Sequence, residues 1–238
     1  MNVIQERLDM LRNLMRERKI DAYLLPTSDF HESEYVGKHF KTRTFITGFT
    51  GSAGTAVITL HEACLWVDGR YFVQGAKELK GTSVTMMKMG QDGVPTIEEY
   101  LDKKIPEGGC LGFDGRVVNA AVGVGLEDLL EDKKVRFACG EDLVGMIWKE
   151  RPPLSAEPAW VLTEQYAGQG AQEKIRQVQD AMKQAHATIH VLTSLDDIAW
   201  LLNFRGNDVQ DYQVVLADLM MSADSLILYT NADYFKDE

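Results

Sequence analysis

Histidines followed by glutamates are the residues of this 238-residue chain that come nearest to a catalytic motif. Zinc-dependent hydrolases commonly carry His-Glu-x-x-His on one helix, because that spacing places both imidazoles on the same face of the helix. His31 and His61 each begin this pattern, but Tyr35 and Leu65 occupy the position of the second histidine. Neither segment therefore predicts a metal site.

A second pair of histidines, His186 and His190, has the required spacing but not the context. The residues between them, Ala-Thr-Ile, are typical of the passage from a helix into a strand, and no acidic residue nearby completes a ligand set. We interpret them as an ordinary surface or half-buried pair. The sequence predicts no catalytic residue and no metal ligand.

Glycines at three evenly spaced positions, Gly48, Gly51 and Gly54, could cradle a phosphate or surround a nucleophile. Phosphate binding requires a helix N-terminus after the glycines, and a strand pattern follows them here. The Gly-Ser-Ala-Gly segment also lacks the spacing of a nucleophile elbow. We therefore interpret the glycines as tight turns that require a positive φ angle.

Helical and strand patterns alternate along the first 150 residues, which predicts an α/β fold. Acidic pairs at positions 141–142 and 196–197 stand where helix N-termini favour negative charge, so we expect them to cap helices. The other predicted elements are a helix over residues 4–18, a strand over Ala22–Leu25, two strands between Thr44 and Thr59, a strand over Leu65–Val67, a helix over Tyr71–Leu79 and a helix after Pro95 with a Thr96–Glu99 capping box.

Three of the six prolines fall between positions 152 and 158, which marks a domain boundary. Beyond it the first pattern begins again. A helix is followed by a buried strand over Thr188–Leu192, and Trp200–Gly206 then echoes Phe45–Gly51 as an apolar strand that enters a Phe-x-Gly turn. We predict two related domains, residues 1–152 and 153–238, with the second one incomplete.

Composition restricts the classes of function. Hydrophobic residues make up 45% and charged residues 26%, which is typical of a folded globular protein. The net charge of −11 argues against nucleic acid or an anionic membrane as the main partner, because either would be repelled at long range. Charges throughout the first twenty residues predict no secretory signal, and no apolar run is long enough to span a bilayer. The three separated cysteines predict reduced thiols. Together these features predict a cytoplasmic protein.

Several segments, taken together, resemble the three-domain Xaa-Pro aminopeptidases (aminopeptidase P) of the pita-bread metallopeptidase family. They occur in the family's order from one end of the chain to the other. The segments are His31–Tyr35, Phe45–Thr59, Trp66–Gln74, Met87–Gly90, Ile147–Pro152 and Leu195–Asp208.

The resemblance implies two creatinase-type N-terminal domains, each a mixed β-sheet flanked by helices, followed by a catalytic domain that this sequence lacks. In such enzymes the catalytic domain binds two divalent metals, usually manganese. A metal-bound water or hydroxide then attacks the bond between the first residue of a peptide and proline. The resemblance thus implies a proline-containing peptide substrate for the whole enzyme and no activity for this chain alone.

Two residues are candidates for substrate binding by their position in the family's motifs, Glu34 and Arg70. In this family the N-terminal domains mediate dimerisation and can reach the mouth of an active site. Glu34 could pair with the α-amino group of a peptide, and Arg70 with a carbonyl or carboxylate. Equally, Arg70 could pair with Asp68 and hold the turn, while Glu34 is solvated.

Two other readings remain open. Prolidase and creatinase relatives share the Gly-Phe-Thr-Gly and Asp-Gly-Arg-Tyr elements but have a single N-terminal domain, whereas the repeated pattern and the Arg-Pro linker favour the three-domain enzyme. Pita-bread folds also occur as non-catalytic binding modules, histone-binding ones among them, so the parent could be an interaction protein.

Overall fold

The computed structural model describes residues 2–235, which form two compact units. The first unit comprises the residues up to Glu32 together with Phe40–Pro152. The second comprises Ser33–His39 together with the residues from Pro153 onward. Each is a mixed α/β unit, which confirms the predicted fold class. A single boundary after residue 152 does not separate the short segment Ser33–His39, which belongs to the second unit.

The first unit alternates helices with strands. Its helices are α1 (Val3–Arg18), α2 (Thr42–Thr47), α3 (Phe72–Glu78), α4 (Ile97–Lys104), α5 (Ala120–Leu130) and α6 (Leu143–Ile147), with 3-10 turns at Gly69–Tyr71 and Glu131–Lys133. Its strands are β1 (Ala22–Leu25), β2 (Thr55–Thr59), β3 (Ala63–Val67), β4 (Thr85–Lys88), β5 (Cys110–Gly112) and β6 (Arg136–Ala138).

These strands form one sheet in the order β4-β3-β2-β1-β5-β6. Strand β2 runs antiparallel to β1 and β3, whereas the other neighbouring pairs are parallel. The carboxyl ends of β1, β3 and β5 consequently lie at the same edge of the sheet.

Both faces of this sheet are buried. Because side chains alternate along a strand, Leu65 packs on the face covered by α1 and α6, and its neighbour Trp66 packs on the face covered by α4 and α5. Leu65 has no exposed surface and Trp66 only 1%. The first unit is therefore a three-layer arrangement of helices, sheet and helices.

The second unit contains a smaller sheet. Strands β8, β10 and β11 are antiparallel in the order β11-β10-β8, and β7 pairs with β9 separately. The elements are β7 (Trp160–Val161), α7 (Glu164–Ala167), α8 (Ala171–Gln184), β8 (Ile189–Leu192), α9 (Leu195–Leu202), β9 (Phe204–Arg205), β10 (Ala217–Ser222) and β11 (Leu226–Thr230), with a 3-10 turn at Ala232–Phe235.

One face of the three-stranded sheet packs against α8 and α9 through residues such as Leu192 and Leu219. The opposite face presents Val191 and Ile227, which flank Met220 across the register and are 59% and 42% exposed. The prediction that Thr188–Leu192 is a buried strand is thus correct for a strand at Ile189–Leu192 but wrong for its burial, because Leu192 is buried and the four residues before it are exposed. That the second domain is incomplete stays a prediction.

The predicted strands before the two Phe-x-Gly turns are wrong. Both segments are helices, α2 and α9, and each ends at a residue in the left-handed region: Gly48 at φ 78° and Asn203 at φ 51°. Backbone N–H groups of these residues bond carbonyls of the last turn, which is the usual way to end a helix. The two segments therefore do resemble each other, but the element before each Phe-x-Gly turn is a helix rather than a strand.

The remaining predicted elements agree with the structure. Helix α1 buries the apolar side chains Ile4, Leu8, Leu11 and Met15. Thr96 and Glu99 form the predicted capping box of α4, and Asp142 caps α6. Cys64 and Cys110 are buried free thiols and Cys139 is an exposed one. No helix within residues 2–235 is both long and apolar enough to cross a bilayer.

Candidate functional site

Arg70 lies in the turn that follows β3, at the carboxyl edge of the first sheet. Asp68 caps this turn by accepting the backbone N–H of Arg70 at 2.9 Å. The same carboxylate accepts the Nε and Nη2 groups of Arg70 at 3.0 and 2.9 Å, and this pairing lowers the pKa of Asp68. The arginine side chain is 68% exposed. Its guanidinium is therefore held in a fixed direction at the surface.

An identical Asp-Gly-Arg turn follows β5. Asp114 accepts the backbone N–H, Nε and Nη2 groups of Arg116 at 3.0, 2.9 and 2.8 Å. Arg116 also lies 3.6 Å from a carboxylate oxygen of Asp142. The geometry thus recurs where a parallel strand leaves the sheet, so turn formation alone accounts for the contacts of Arg70 with Asp68. This repeat was not among the predicted features, although both Asp-Gly-Arg tripeptides are visible in the sequence.

Glu34 belongs to the segment Ser33–His39 of the second unit and is exposed. The ring of the adjacent Tyr35 lies 6.1 Å from that of Tyr212 in the same unit. The Tyr212 hydroxyl donates a hydrogen bond to Asp196, in the first turn of α9. Glu34, Tyr35, Asp196 and Tyr212 thus form one acidic and aromatic cluster.

The charges of this cluster act on Tyr212. Its hydrogen bond to Asp196, followed by burial and the negative charges of Asp196 and Glu34, raises the pKa of Tyr212 to about 12. Two carboxylates beside two aromatic faces favour a cation, because carboxylates pair with ammonium groups and aromatic rings attract cations. The cluster could therefore hold a protonated amine. The sequence predicted that the acidic pair at positions 196–197 caps a helix, but Ser194 is the N-cap of α9, and its hydroxyl accepts the backbone N–H of Asp197. Asp196 lies in the first turn, where the helix dipole favours negative charge.

Glu34 belongs to the second unit and Arg70 to the first. The histidines of the sequence analysis do not come together: His186 follows α8 at φ 54° and His190 lies in β8. Glu62, which follows His61 in the sequence, accepts hydrogen bonds from Lys104 and Tyr100. Within residues 2–235, no group of three or more His, Cys, Asp or Glu side chains is arranged to hold a metal ion.

Comparison with known families assigns both units to one family. The model of the creatinase/prolidase N-terminal domain matches residues 7–143, and a second model of the same description matches residues 150–238. These matches confirm the tandem arrangement of related domains that the repeated pattern predicts.

Two relatives with similar sequences come from fungi. The chain is 40% identical to a probable Xaa-Pro aminopeptidase P of Sordaria macrospora and 38% identical to one of Neurospora crassa, in each case over 98% of its own length. It spans only 38% and 34% of those relatives. One solved structure matches the whole chain with a TM-score of 0.91 and 30% identity. It is the X-prolyl aminopeptidase of Caenorhabditis elegans, a cytosolic enzyme with a di-nuclear active site, and the match covers 40% of that enzyme.

Proposed function

The chain belongs to the creatinase/prolidase N-terminal domain family, and from this premise we propose that it is the N-terminal, non-catalytic region of an Xaa-Pro aminopeptidase. The tandem match of two family domains carries the proposal, and 40% identity to an Xaa-Pro aminopeptidase P over nearly the whole chain supports it. Two domains in tandem also favour this enzyme over a prolidase or creatinase relative, which has a single one.

Metal chemistry belongs elsewhere in the proposed enzyme. The Caenorhabditis elegans relative has a di-nuclear active site, whereas the side chains of residues 2–235 form no group that could hold an ion. The residues present do not fit a metal, so no step of hydrolysis is assigned to them. We place the two divalent ions, manganese by the resemblance, in a catalytic domain outside this sequence.

For the two units we propose a role at the rim of the active site. The cluster of Glu34, Asp196 and Tyr212 has the charge and aromatic surface to receive the free α-amino group of a peptide. Arg70 presents an oriented guanidinium that could receive a carbonyl or carboxylate. The proposal extends to a cytoplasmic homodimer that acts on proline-containing peptides, with dimer contacts supplied by these domains.

A kinetic comparison of the chain with the longer natural protein tests this proposal. We expect the 238-residue chain to show no turnover of a fluorogenic Xaa-Pro peptide with added manganese. The longer protein should cleave it. In that protein, Glu34→Gln should raise KM about fivefold and leave kcat unchanged, because an exposed ion pair contributes at most about 1 kcal/mol.

The matched control is Glu157→Gln, which removes an exposed carboxylate of the second unit outside the cluster. It should change neither kinetic parameter. Metal-dependent turnover by the pure chain would contradict the non-catalytic assignment. An unchanged KM in the Glu34 variant would remove that residue from the rim and leave the family-based proposal intact.

A further inference from the structure

A cavity of about 240 Å³ lies in the first unit, where the chain leaves two parallel strands. It is lined by the end of β1 and the residues after it, by the residues after β5, and by the first turns of α4 and α5. In open α/β sheets, ligands commonly bind beyond the carboxyl ends of the strands. The cavity therefore lies where ligands commonly bind in such sheets, and all of its lining residues belong to the first unit.

The lining of this cavity is mainly apolar. Aliphatic side chains from β1, α4, α5 and the segment before α5 surround it, and Val122 stays 46% exposed at its margin. Apolar walls with a few polar groups are typical of pockets for small molecules. The aliphatic residues are Leu24, Ile97, Val117, Val118, Val122 and Leu126.

The charged residues among those that line the cavity are both acidic. Glu32 accepts a hydrogen bond from Asn119 Nδ2 at 2.5 Å. The Glu98 carboxylate takes no hydrogen bond or ion pair from another residue in the 2–235 range. Glu98 also lines a neighbouring cavity of about 230 Å³ beside Trp66 and Met89. An acidic group thus stands between two apolar spaces.

The sign of the electrostatic potential follows from a comparison of charges. The N-termini of α4 and α5 point to this region and each acts as about +0.5 of an elementary charge. The two carboxylates contribute −2, so the balance is negative. The dipole of α4 accounts for an acid in its first turn, but it does not account for the apolar cavity beside that acid.

We propose that this cavity binds a small organic ammonium ion, whose apolar body fills the aliphatic lining while its charged group pairs with Glu98. Glu32 adds to the negative potential at the margin. The proposal concerns the first unit and is independent of the proposed aminopeptidase function.

A titration of the 238-residue chain with 2-phenylethylammonium tests the proposal. Methyl NMR signals of Ile97, Val118 and Val122 should shift saturably. The neutral 2-phenylethanol should bind about fivefold more weakly, since a partly exposed ion pair contributes up to about that factor, and 3-phenylpropionate more weakly still. Added salt should reduce the difference between amine and alcohol.

Two variants separate the charge from the cavity. Glu98→Gln should weaken ammonium binding to the level of the alcohol and leave alcohol binding unchanged. Val122→Tyr should abolish binding of both, with circular dichroism and melting temperature unchanged. The matched control, Glu127→Gln, removes a carboxylate of α5 outside the lining and should change neither affinity.

The outcomes that would overturn the proposal are equally definite. They are equal binding of amine and alcohol, a preference for the amine that persists in the Glu98 variant, shifts confined to methyl groups elsewhere, and no saturable shift at any of these methyl groups.

Discussion

The two sheets differ in the number of faces that helices cover. In β3 of the first unit, the adjacent residues Leu65 and Trp66 point to opposite faces and both are buried. In β8 of the second unit, Leu192 is 9% exposed whereas its neighbour Val191 is 59% exposed. Both strands carry apolar side chains on each face, although His190 shares the face of Leu192 in β8, so sequence hydrophobicity favours burial in both. The number of covering layers decides which side chains are buried.

Removal of side-chain volume should give the largest difference between the two sheets. Leu65→Ala should lower the free energy of unfolding of the first unit by about 2–5 kcal/mol, because it leaves a cavity in a closed core. Val191→Ala should change that of the second unit by no more than about 0.5 kcal/mol, since an exposed side chain has few contacts to lose. Hydrogen exchange measured by mass spectrometry in increasing urea reports each unit separately.

Both variants remove aliphatic carbons from a strand centre, so each serves as the other's control. Similar losses of stability would show that the outer face of the second sheet is covered in solution. A small loss from Leu65→Ala would show that the first core relaxes around the cavity.

The two units are similar, by contrast, in that a buried cation donates hydrogen bonds at or just before each Phe-x-Gly turn. Arg43, 3% exposed, donates to the carbonyls of Phe49 and Gly51, and burial lowers its pKa to about 10. Lys174, also 3% exposed, donates to the carbonyl of Trp200 and to Asn203 Oδ1 at 2.9 and 2.7 Å. Burial, and then the charge of Arg205, lower the pKa of Lys174. Within residues 2–235, neither cation forms an ion pair with a carboxylate.

Removal of these buried cations should have the next largest effects. Arg43→Met leaves the carbonyls of Phe49 and Gly51 without their donor, and should lower the unfolding free energy of the first unit by about 2–4 kcal/mol. Lys174→Met removes two hydrogen bonds and should cost the second unit about 1–3 kcal/mol. The same exchange measurement checks both.

Lys183→Met, at an exposed position on the same helix as Lys174, is the control and should be near neutral. A neutral or stabilising result for either buried position would show that the cost of burying the charge exceeds the value of its hydrogen bonds.

Local sequence patterns predicted most helices and strands. They did not predict that one face of the second sheet is exposed, or that Arg43 and Lys174 are buried. The segments before the turns were mistaken for strands because Thr, Phe and Ile favour strands locally. Gly48 and Asn203 end helices there instead, and Ile46 and Thr47 are buried in succession, as in a helix rather than a half-covered strand. Arg43 lies in α2, the helix directly before its turn, whereas Lys174 lies in α8, one helix earlier than the helix before its turn. The similarity between the two turn segments therefore does not reveal these cations.

Among the candidate sites, the sequence indicated Glu34 and Arg70 by motif position alone. It could not indicate that Glu34 lies with Tyr212, because Ser33–His39 joins residues nearly 180 positions later in the chain. Contacts at that separation depend on the packing of the whole unit, and no local propensity encodes them.

The smallest expected effect is a pH dependence confined to the first unit. Glu62 accepts hydrogen bonds from Lys104 Nζ and from the Tyr100 hydroxyl, both at 2.6 Å, and these lower its pKa from the ordinary value of 4.5. A carboxyl group with a lowered pKa in the folded state stabilises the fold above its unfolded pKa. This contribution disappears as the pH falls from about 4.5 through the folded value.

Since the Glu62 side chain is 46% exposed, the contribution should be below about 1 kcal/mol. Glu62→Gln should therefore flatten the fall in stability of the first unit below pH 4.5 and leave the profile of the second unit unchanged. Glu107→Gln, at an exposed position of the first unit, should leave both profiles as they are. Urea midpoints measured between pH 3 and pH 6 for each unit would show this. An equal change in both units would mean that Glu62 acts through the net charge of the chain rather than through its contacts with Tyr100 and Lys104 in the first unit.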